Sequence, residues 1–162
     1  MDKRDQLLKL LEKDSRLTVA DLSAILDMPE SEVTHLLEEL EQDRVIVGYH
    51  TLINWEKTDN EQVEAMIEVK VNPQKGKGFD LIAEKLYQFD QVQAVYLMSG
   101  GYDFTVSLKK GPMREIARFV SSQLSTIEEV QSTTTHVILK KYKDHGTLFV
   151  DKGKDKRMAV KQ

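Results

Sequence analysis

Two apolar stripes separated by three residues constrain this chain more than any other feature of it. Val19, Leu22, Ile25 and Leu26 recur at helical spacing, as do Val33, Leu36, Leu37 and Leu40, and only Asp27, Met28 and Pro29 lie between them. Two short amphipathic helices joined so tightly must cross steeply and bury their stripes against each other. Thr18, with Asp21 three residues on, reads as an N-cap with an acidic residue at the third helical position. Pro29 suits the entry to the second helix, where its missing N–H costs nothing. This is the grammar of a helix-turn-helix, whose second helix is the element that enters a DNA major groove. The residues leave one alternative open, a plain helical hairpin in a small bundle.

Residues 2–13 place Leu7, Leu8, Leu10 and Leu11 among charges, a first helix able to cover that hairpin. Beyond the third helix, residues 44–53 are rich in β-formers around Gly48 and read as a strand or hairpin, completing the layout of a winged helix-turn-helix. Residues 54–62 are polar apart from Trp55 and follow neither period. The first domain is therefore expected over 1–54 and a linker over 55–62, with Trp55 packed on a domain or a partner subunit rather than reading a base.

The second half changes character. Val63, Ala65, Ile67, Val69 and Val71 alternate with polar residues and Met66, a half-buried strand. A turn over 72–78 leads to Phe79, Ile82, Ala83, Leu86 and Phe89 at helical spacing. Val92, Ala94, Tyr96 and Met98 alternate up to Gly100-Gly101, and Tyr102, Phe104, Val106 and Leu108 resume the alternation, so 91–109 reads as a β-hairpin. Gly111-Pro112 opens a second helix with Met113, Ile116, Ala117, Val120 and Leu124 on one face, and Thr133, Thr135, Val137 and Leu139 alternate in a last strand. The order β-α-β-β-α-β is the ferredoxin-like plan, four antiparallel strands with two helices on one face, here over 63–141. The fold class is thus α+β, a winged helix-turn-helix followed by a ferredoxin-like domain, with a basic tail over 142–162.

Bulk properties narrow the function classes. The chain has no cysteine, which excludes disulfides, thiolate metal sites and cysteine nucleophiles. No apolar run approaches the roughly 18 residues of a membrane span and no signal-peptide core follows Met1, so a cytoplasmic protein is expected, with no membrane partner. His35, His50, His136 and His145 lack metal-ligand spacing, and no nucleophile elbow or P-loop occurs; the chain reads as neither an enzyme nor a cofactor or metal binder. Net charge is −4, unevenly placed: residues 1–60 carry 7 Lys/Arg against 14 Asp/Glu, whereas residues 140–162 carry 8 against 3. Leu148-Phe-Val150 in that tail is apolar enough to dock, and its Lys-rich end is a candidate DNA arm or, more simply, a solvated terminus.

A winged helix-turn-helix joined to a βαββαβ domain resembles the Lrp/AsnC (feast/famine) family of transcription regulators. The marks lie in Arg16-Leu-Thr-Val-Ala-Asp-Leu22, Val33 with Leu40-Glu41, Val45-Ile46 and Gly48-Tyr49, then Gly100-Gly-Tyr-Asp-Phe104 and Thr133-Thr-Thr135 leading to Val137-Ile-Leu139. The resemblance covers roughly residues 1–141. It implies a sequence-specific regulator of double-stranded DNA that responds to a small effector, typically an amino acid. It also implies sheet-to-sheet dimers that gather into tetramers or octamers, with effectors between subunits near the turn of the second and third strands. Carried onto this chain, the effector residues are Gly100, Gly101, Tyr102, Asp103, Thr133 and Thr135. Glycines let a backbone approach a ligand and present N–H groups to a carboxylate, and an aspartate beside them could receive an α-ammonium. A plain hairpin turn would account for the glycines equally well.

The chain departs from the family at its reading head. Pro29 stands where the family usually has a serine cap and Leu36 where an arginine is usual, and the outward face carries Glu30, Glu32, Glu38 and Glu39. Carboxylates facing phosphates are repelled. Ser31, Thr34 and His35 could still reach base edges, Glu38 could accept from a cytosine amino group, and Arg16 and Arg44, with Lys3, Arg4 or the tail, are left to meet phosphates. The competing function is an effector-binding oligomer whose N-terminal domain binds no DNA and acts through protein contacts.

Overall fold

The computed structural model describes residues 2–58, 62–73 and 78–151 of the 162-residue chain. It divides into two compact units, Met1–Ile53 and Asn54–Gln162. Residues 55–58, read from the sequence as linker, thus belong to the second unit. The Lys-rich residues 152–162 and the turn residues 74–77 lie outside the described residues.

The first unit is three helices: α1 (Lys3–Lys13), α2 (Val19–Leu26) and α3 (Glu30–Gln42). Helix α2 begins in a full capping box, the Asp21 N–H donating to Thr18 Oγ1 at 3.2 Å and the Thr18 N–H to Asp21 Oδ2 at 2.9 Å. It stops at Asp27, whose φ of 50° is left-handed, a conformation that short polar side chains tolerate. Pro29 then caps α3 without a side-chain hydrogen bond. Leu7, Leu22, Leu26, Val33 and Leu40 meet in one buried core, flanked by half-buried Leu8, Leu11, Leu36 and Leu37. Ile25, expected in the buried stripe, is 55% exposed, while its neighbours Leu22 and Leu26 take the places in the core.

No strand forms over 44–53, contrary to the expected strand or hairpin. The reason is local. Arg44 turns left-handed at φ 55°, and the Val45 and Ile46 N–H groups donate back to the Leu40 carbonyl at 2.9 and 3.0 Å. These residues finish α3 instead of opening a ladder. Ile46 packs on the helical core, Val45 and Val47 stay exposed, and no described segment pairs with them.

The second unit has strands β1 (Glu64–Val71), β2 (Val92–Leu97), β3 (Phe104–Leu108) and β4 (Val130–Ile138), with helices α4 (Phe79–Tyr87) and α5 (Met113–Ser122). The sheet order is β2-β3-β1-β4 and every pairing is antiparallel. Ile67 and Val69 of β1 and Phe104 and Val106 of β3 pack with Ile82 and Leu86 of α4 and Ile116 and Phe119 of α5, so both helices lie on one face. A register shift between Val92 and Ala94 corrects the simple alternation read for β2. Val92 and Val95 both turn to the core, and Ala94 and Tyr96 to the open face, as one inserted residue in a strand requires. Strand β4 ends at Ile138, leaving Leu139 92% exposed. Beyond it a small hairpin, β5 (Lys143–Asp144) and β6 (Thr147–Leu148), gives structure to the first half of the expected tail.

Candidate functional site

Ser31, Thr34, His35 and Glu38 are spaced i, i+3, i+4, i+7 on α3, which places them on one face about 100° wide. All four are exposed, and the opposite stripe of Val33 and Leu40 is fully buried. Thr34 Oγ1 donates to the Glu30 carbonyl at 2.9 Å, leaving its oxygen free to accept. The helix has no basic residue in its last turn, and its first turn holds Glu30 and Glu32.

Most cations expected to meet phosphates are engaged within the unit. The Lys3 ammonium donates to the Leu26 carbonyl at the end of α2. Arg4 pairs with Glu39 at 2.9 Å and Asp43 at 3.8 Å, neutralising carboxylates at the C-terminal end of α3. Arg16 folds back on Asp14 at 3.2 Å, and that hydrogen bond holds the Asp14 carboxyl below the usual aspartate range. Arg44 has no ion pair among the described residues and is exposed.

The second expected site is the turn between β2 and β3. Gly100 adopts φ 135°, which side chains rarely reach, and so requires glycine. Gly101 does not, and a Cβ at either position would meet nothing within 4 Å. Asp103 is half-buried and already employed: its Oδ2 accepts from the Val71 N–H at 2.8 Å and its N–H donates to the Val69 carbonyl at 3.1 Å. The carboxylate thus ties the turn to the end of β1, a role beside the one its sequence position suggested. Tyr102 accepts at its hydroxyl from Thr105 Oγ1, 3.3 Å away, at nearly buried Thr105.

Register decides which residues share this end of the sheet. Phe104, Val69 and Thr133 align across three strands, so Thr133 lies about 10 Å from the start of β3, two strand spacings away. Thr135 aligns with Ile67 and Val106, about 7 Å farther along. Thr133 therefore joins the turn at one end of the sheet and Thr135 sits back from it. Thr133 Oγ1 lies 3.5 Å from Ser125 Oγ. A concavity of about 600 Å³ lies at the other end, lined by Leu108, Lys109, Ile116, Arg118 and Phe119 among others.

The sequence reading missed a third cluster. Lys141 Nζ sits 2.8 Å from Glu64 Oε2 and 3.1 Å from Asp144 Oδ2, and Lys110 Nζ is 3.9 Å from the same Glu64 oxygen and 5.7 Å from the Trp55 ring centre. Burial alone would lower the Lys141 pKa, but its bonds to Glu64 and Asp144 outweigh that and hold it above the ordinary lysine value. Burial would raise the Asp144 pKa, and Lys141 reverses that to a value below the aspartate norm. Lys110 goes the other way: burial outweighs the attraction of Glu64 and lowers it. No local pattern announces contacts between residues so distant in sequence; only the Lys140-Lys141 pair after the last strand hints at them.

The family model for the Lrp/AsnC ligand binding domain matches residues 64–148, and that for a winged helix-turn-helix DNA-binding domain matches residues 1–47. The chain belongs to the Lrp/AsnC family. It is a DNA-binding transcriptional regulator with an Lrp/AsnC ligand-binding domain, and no enzymatic family is indicated. It is 44% identical over 160 residues to the uncharacterized HTH-type transcriptional regulator YugG of Bacillus subtilis, covering 98% of this chain and 96% of that one. It is 21% identical over 141 residues to a proline dehydrogenase transcriptional activator of Rhizobium radiobacter, covering 87% and 90%. A Neisseria meningitidis transcriptional regulator in complex with L-Met has the same fold at TM-score 0.70 and 23% identity, covering 89% of this chain and 93% of that one. E. coli AsnC matches at TM-score 0.66 and 20% identity, covering 87% and 93%. Among the described residues, no helix of this Lrp/AsnC protein is long and apolar enough to cross a membrane.

Proposed function

We propose that this Lrp/AsnC regulator reads double-stranded DNA with Ser31, Thr34, His35 and Glu38 of α3, with Arg44 and Arg16 toward phosphates, and that it answers to an amino acid held between subunits. The observation that carries the DNA reading is the division of α3 into a fully buried apolar stripe and an uncovered polar face of groove-reading width. The effector reading rests on the turn. Gly101 is a glycine that its own backbone does not demand, beside open space, at the sheet end that also holds Asp103 and Thr133. Backbone N–H groups there suit a carboxylate, and the Asp103 carboxylate suits an ammonium. The L-Met complex of the Neisseria relative supports the same ligand class for this chain.

The open sheet face supports assembly. Met66 and Tyr96 stand exposed on it, with His136 Nε2 3.3 Å from Glu68 Oε1. An apolar surface with a paired imidazole and carboxylate can be self-complementary across a two-fold axis, so a second copy of the chain fits it, and dimers could gather further through the turn. Such a regulator acts in the cytoplasm, where it meets DNA.

The competing reading, a head that binds no DNA and acts through protein contacts, is favoured by the carboxylates of α3 and by the internal pairing of Arg4 and Arg16. A mobility shift on the DNA upstream of the protein's own gene separates the two. The regulator reading expects retarded bands that weaken as salt rises and change when one of the twenty amino acids is added. Unshifted DNA at micromolar protein and low salt supports the competing reading.

A further inference from the structure

We propose that residues 141–151 form a clasp on residues 54–57, and that Lys141 is the positioning residue that keeps the tether to the DNA-binding head short. This inference rests on the DNA-binding reading for its consequence, though not for its geometry.

The clasp is built from both ends of the second unit. The Asn54 side-chain amide donates to the Phe149 carbonyl at 3.2 Å, and the Lys141 N–H donates to Glu56 Oε1 at 3.2 Å. Lys57 Nζ lies 3.1 and 3.2 Å from the two Asp151 oxygens. Trp55 stacks under Lys110, and Lys141 lies 6.0 Å over the Phe149 ring. A hub of Lys141 with Glu64, Asp144 and Lys110 anchors this layer to the sheet through Glu64, the first residue of β1. The Glu64, Lys110, Lys141 and Asp144 side chains are only 18–28% exposed, with two charges of each sign. Partly withdrawn from water, such pairs hold their geometry better than surface pairs do.

The consequence follows from tether length. The helical core ends at Ile46, and the sheet begins with the bridge of Val63 to Gly111. With the clasp closed, the tether is residues 47–53, seven residues; with it open, the tether is 47–62, sixteen residues. Residues 47–53 are exposed and outside any strand. Effective concentration falls roughly as the −3/2 power of tether length, so opening the clasp should lower it about three- to fourfold. A longer tether also tolerates more separations and rotations of two heads. The clasp thus makes an assembled regulator selective for half-site spacing.

The test uses the full-length protein. Trp55 is the single tryptophan and lies between Asn54 and Glu56, the residues that Phe149 and Lys141 hold, so acrylamide quenching of its fluorescence reports on the clasp. Lys141→Met removes the hub charge, Lys141→Arg restores it, and Asn54→Ala weakens the other side should Lys141→Met fold poorly. Expected are increased quenching in Lys141→Met and Asn54→Ala and wild-type quenching in Lys141→Arg. On DNA, wild type should prefer half-sites one helical turn apart over half-sites offset by about 5 bp. The two weakened variants should lose that preference and bind the in-phase site about three- to fourfold more weakly, with the thermal shift given by amino acids unchanged. Unchanged quenching in both weakened variants overturns the clasp. Raised quenching with the spacing preference intact overturns its role in positioning. A wild-type protein that retards no DNA overturns the regulator reading alone, and the quenching series still decides whether the clasp exists.

Discussion

Arg44 is held at φ 55°, a backbone conformation costly to any residue with a Cβ, and it is an exposed cation of the head with no ion pair among the described residues. Arg44→Gly therefore relieves strain while removing the charge, so weakened DNA binding in it cannot be blamed on a damaged fold. Affinity should fall on all sequences alike, and the slope of log K against log salt should become shallower by about 0.9 per head. A changed sequence preference at constant slope would contradict a phosphate contact. Asp103 calls for a similar choice of substitution. Asp103→Ala would strand the Val71 N–H that its Oδ2 satisfies, at a cost of about 1–3 kcal/mol, and would confuse stability with recognition. Asp103→Asn keeps an acceptor and removes the charge. The melting temperature should change little and the thermal shift produced by amino acids should disappear; a retained shift removes Asp103 from the effector site.

At the level of elements, what could be read from the sequence was whatever repeats with the period of its own element. Ala65, Ile67 and Val69 alternate, Val33 and Leu40 keep helical spacing, and Thr18 and Asp21 cap a helix three residues apart; each appears in the structure as the sequence implies. The misses fall where a residue's place is set by something other than the period of its element. The β-formers of 44–53 found no neighbouring strand and served the end of α3 instead. One inserted residue between Val92 and Ala94 switched faces in a strand whose alternation looked unbroken. Residues 142–151 read as tail because Lys141 finds Glu64 and Glu56 far back along the chain. That hairpin also titrates in a defined sense. The Asp144 carboxyl is held below its ordinary value when folded, so its contribution is present above about pH 4 and is lost as pH falls through the depressed value. Trp55 quenching should rise as pH falls below about 4, and Asp144→Asn should show raised quenching at neutral pH. Equal quenching in Asp144→Asn and wild type at pH 7 would separate this carboxylate from the clasp.

For the whole molecule, charge and assembly decide function together. Residues 1–60 carry twice as many acidic as basic residues, so a single head is poorly suited to a polyanion and gains affinity by acting alongside a second. On the proposed function, assembly through the open sheet face is then a condition of DNA binding. Met66→Lys places a cation on the inner strand β1 of that face, where two copies would set like charges against each other. It should convert dimers to monomers in sedimentation, with the helical and sheet content kept, and abolish DNA retardation with them. Dimers that survive this change would move the interface elsewhere. The most direct test of the central claim, that an acidic head binds DNA through an assembly which senses an amino acid, is fluorescence anisotropy of labelled upstream DNA titrated with full-length protein across a salt series. The account predicts saturable binding with a shallow slope, no steeper than about −4 per dimer, and an affinity that shifts when the amino acid found by thermal screening is present. Anisotropy that stays at the free-DNA level at micromolar protein and low salt, with or without that amino acid, would contradict it.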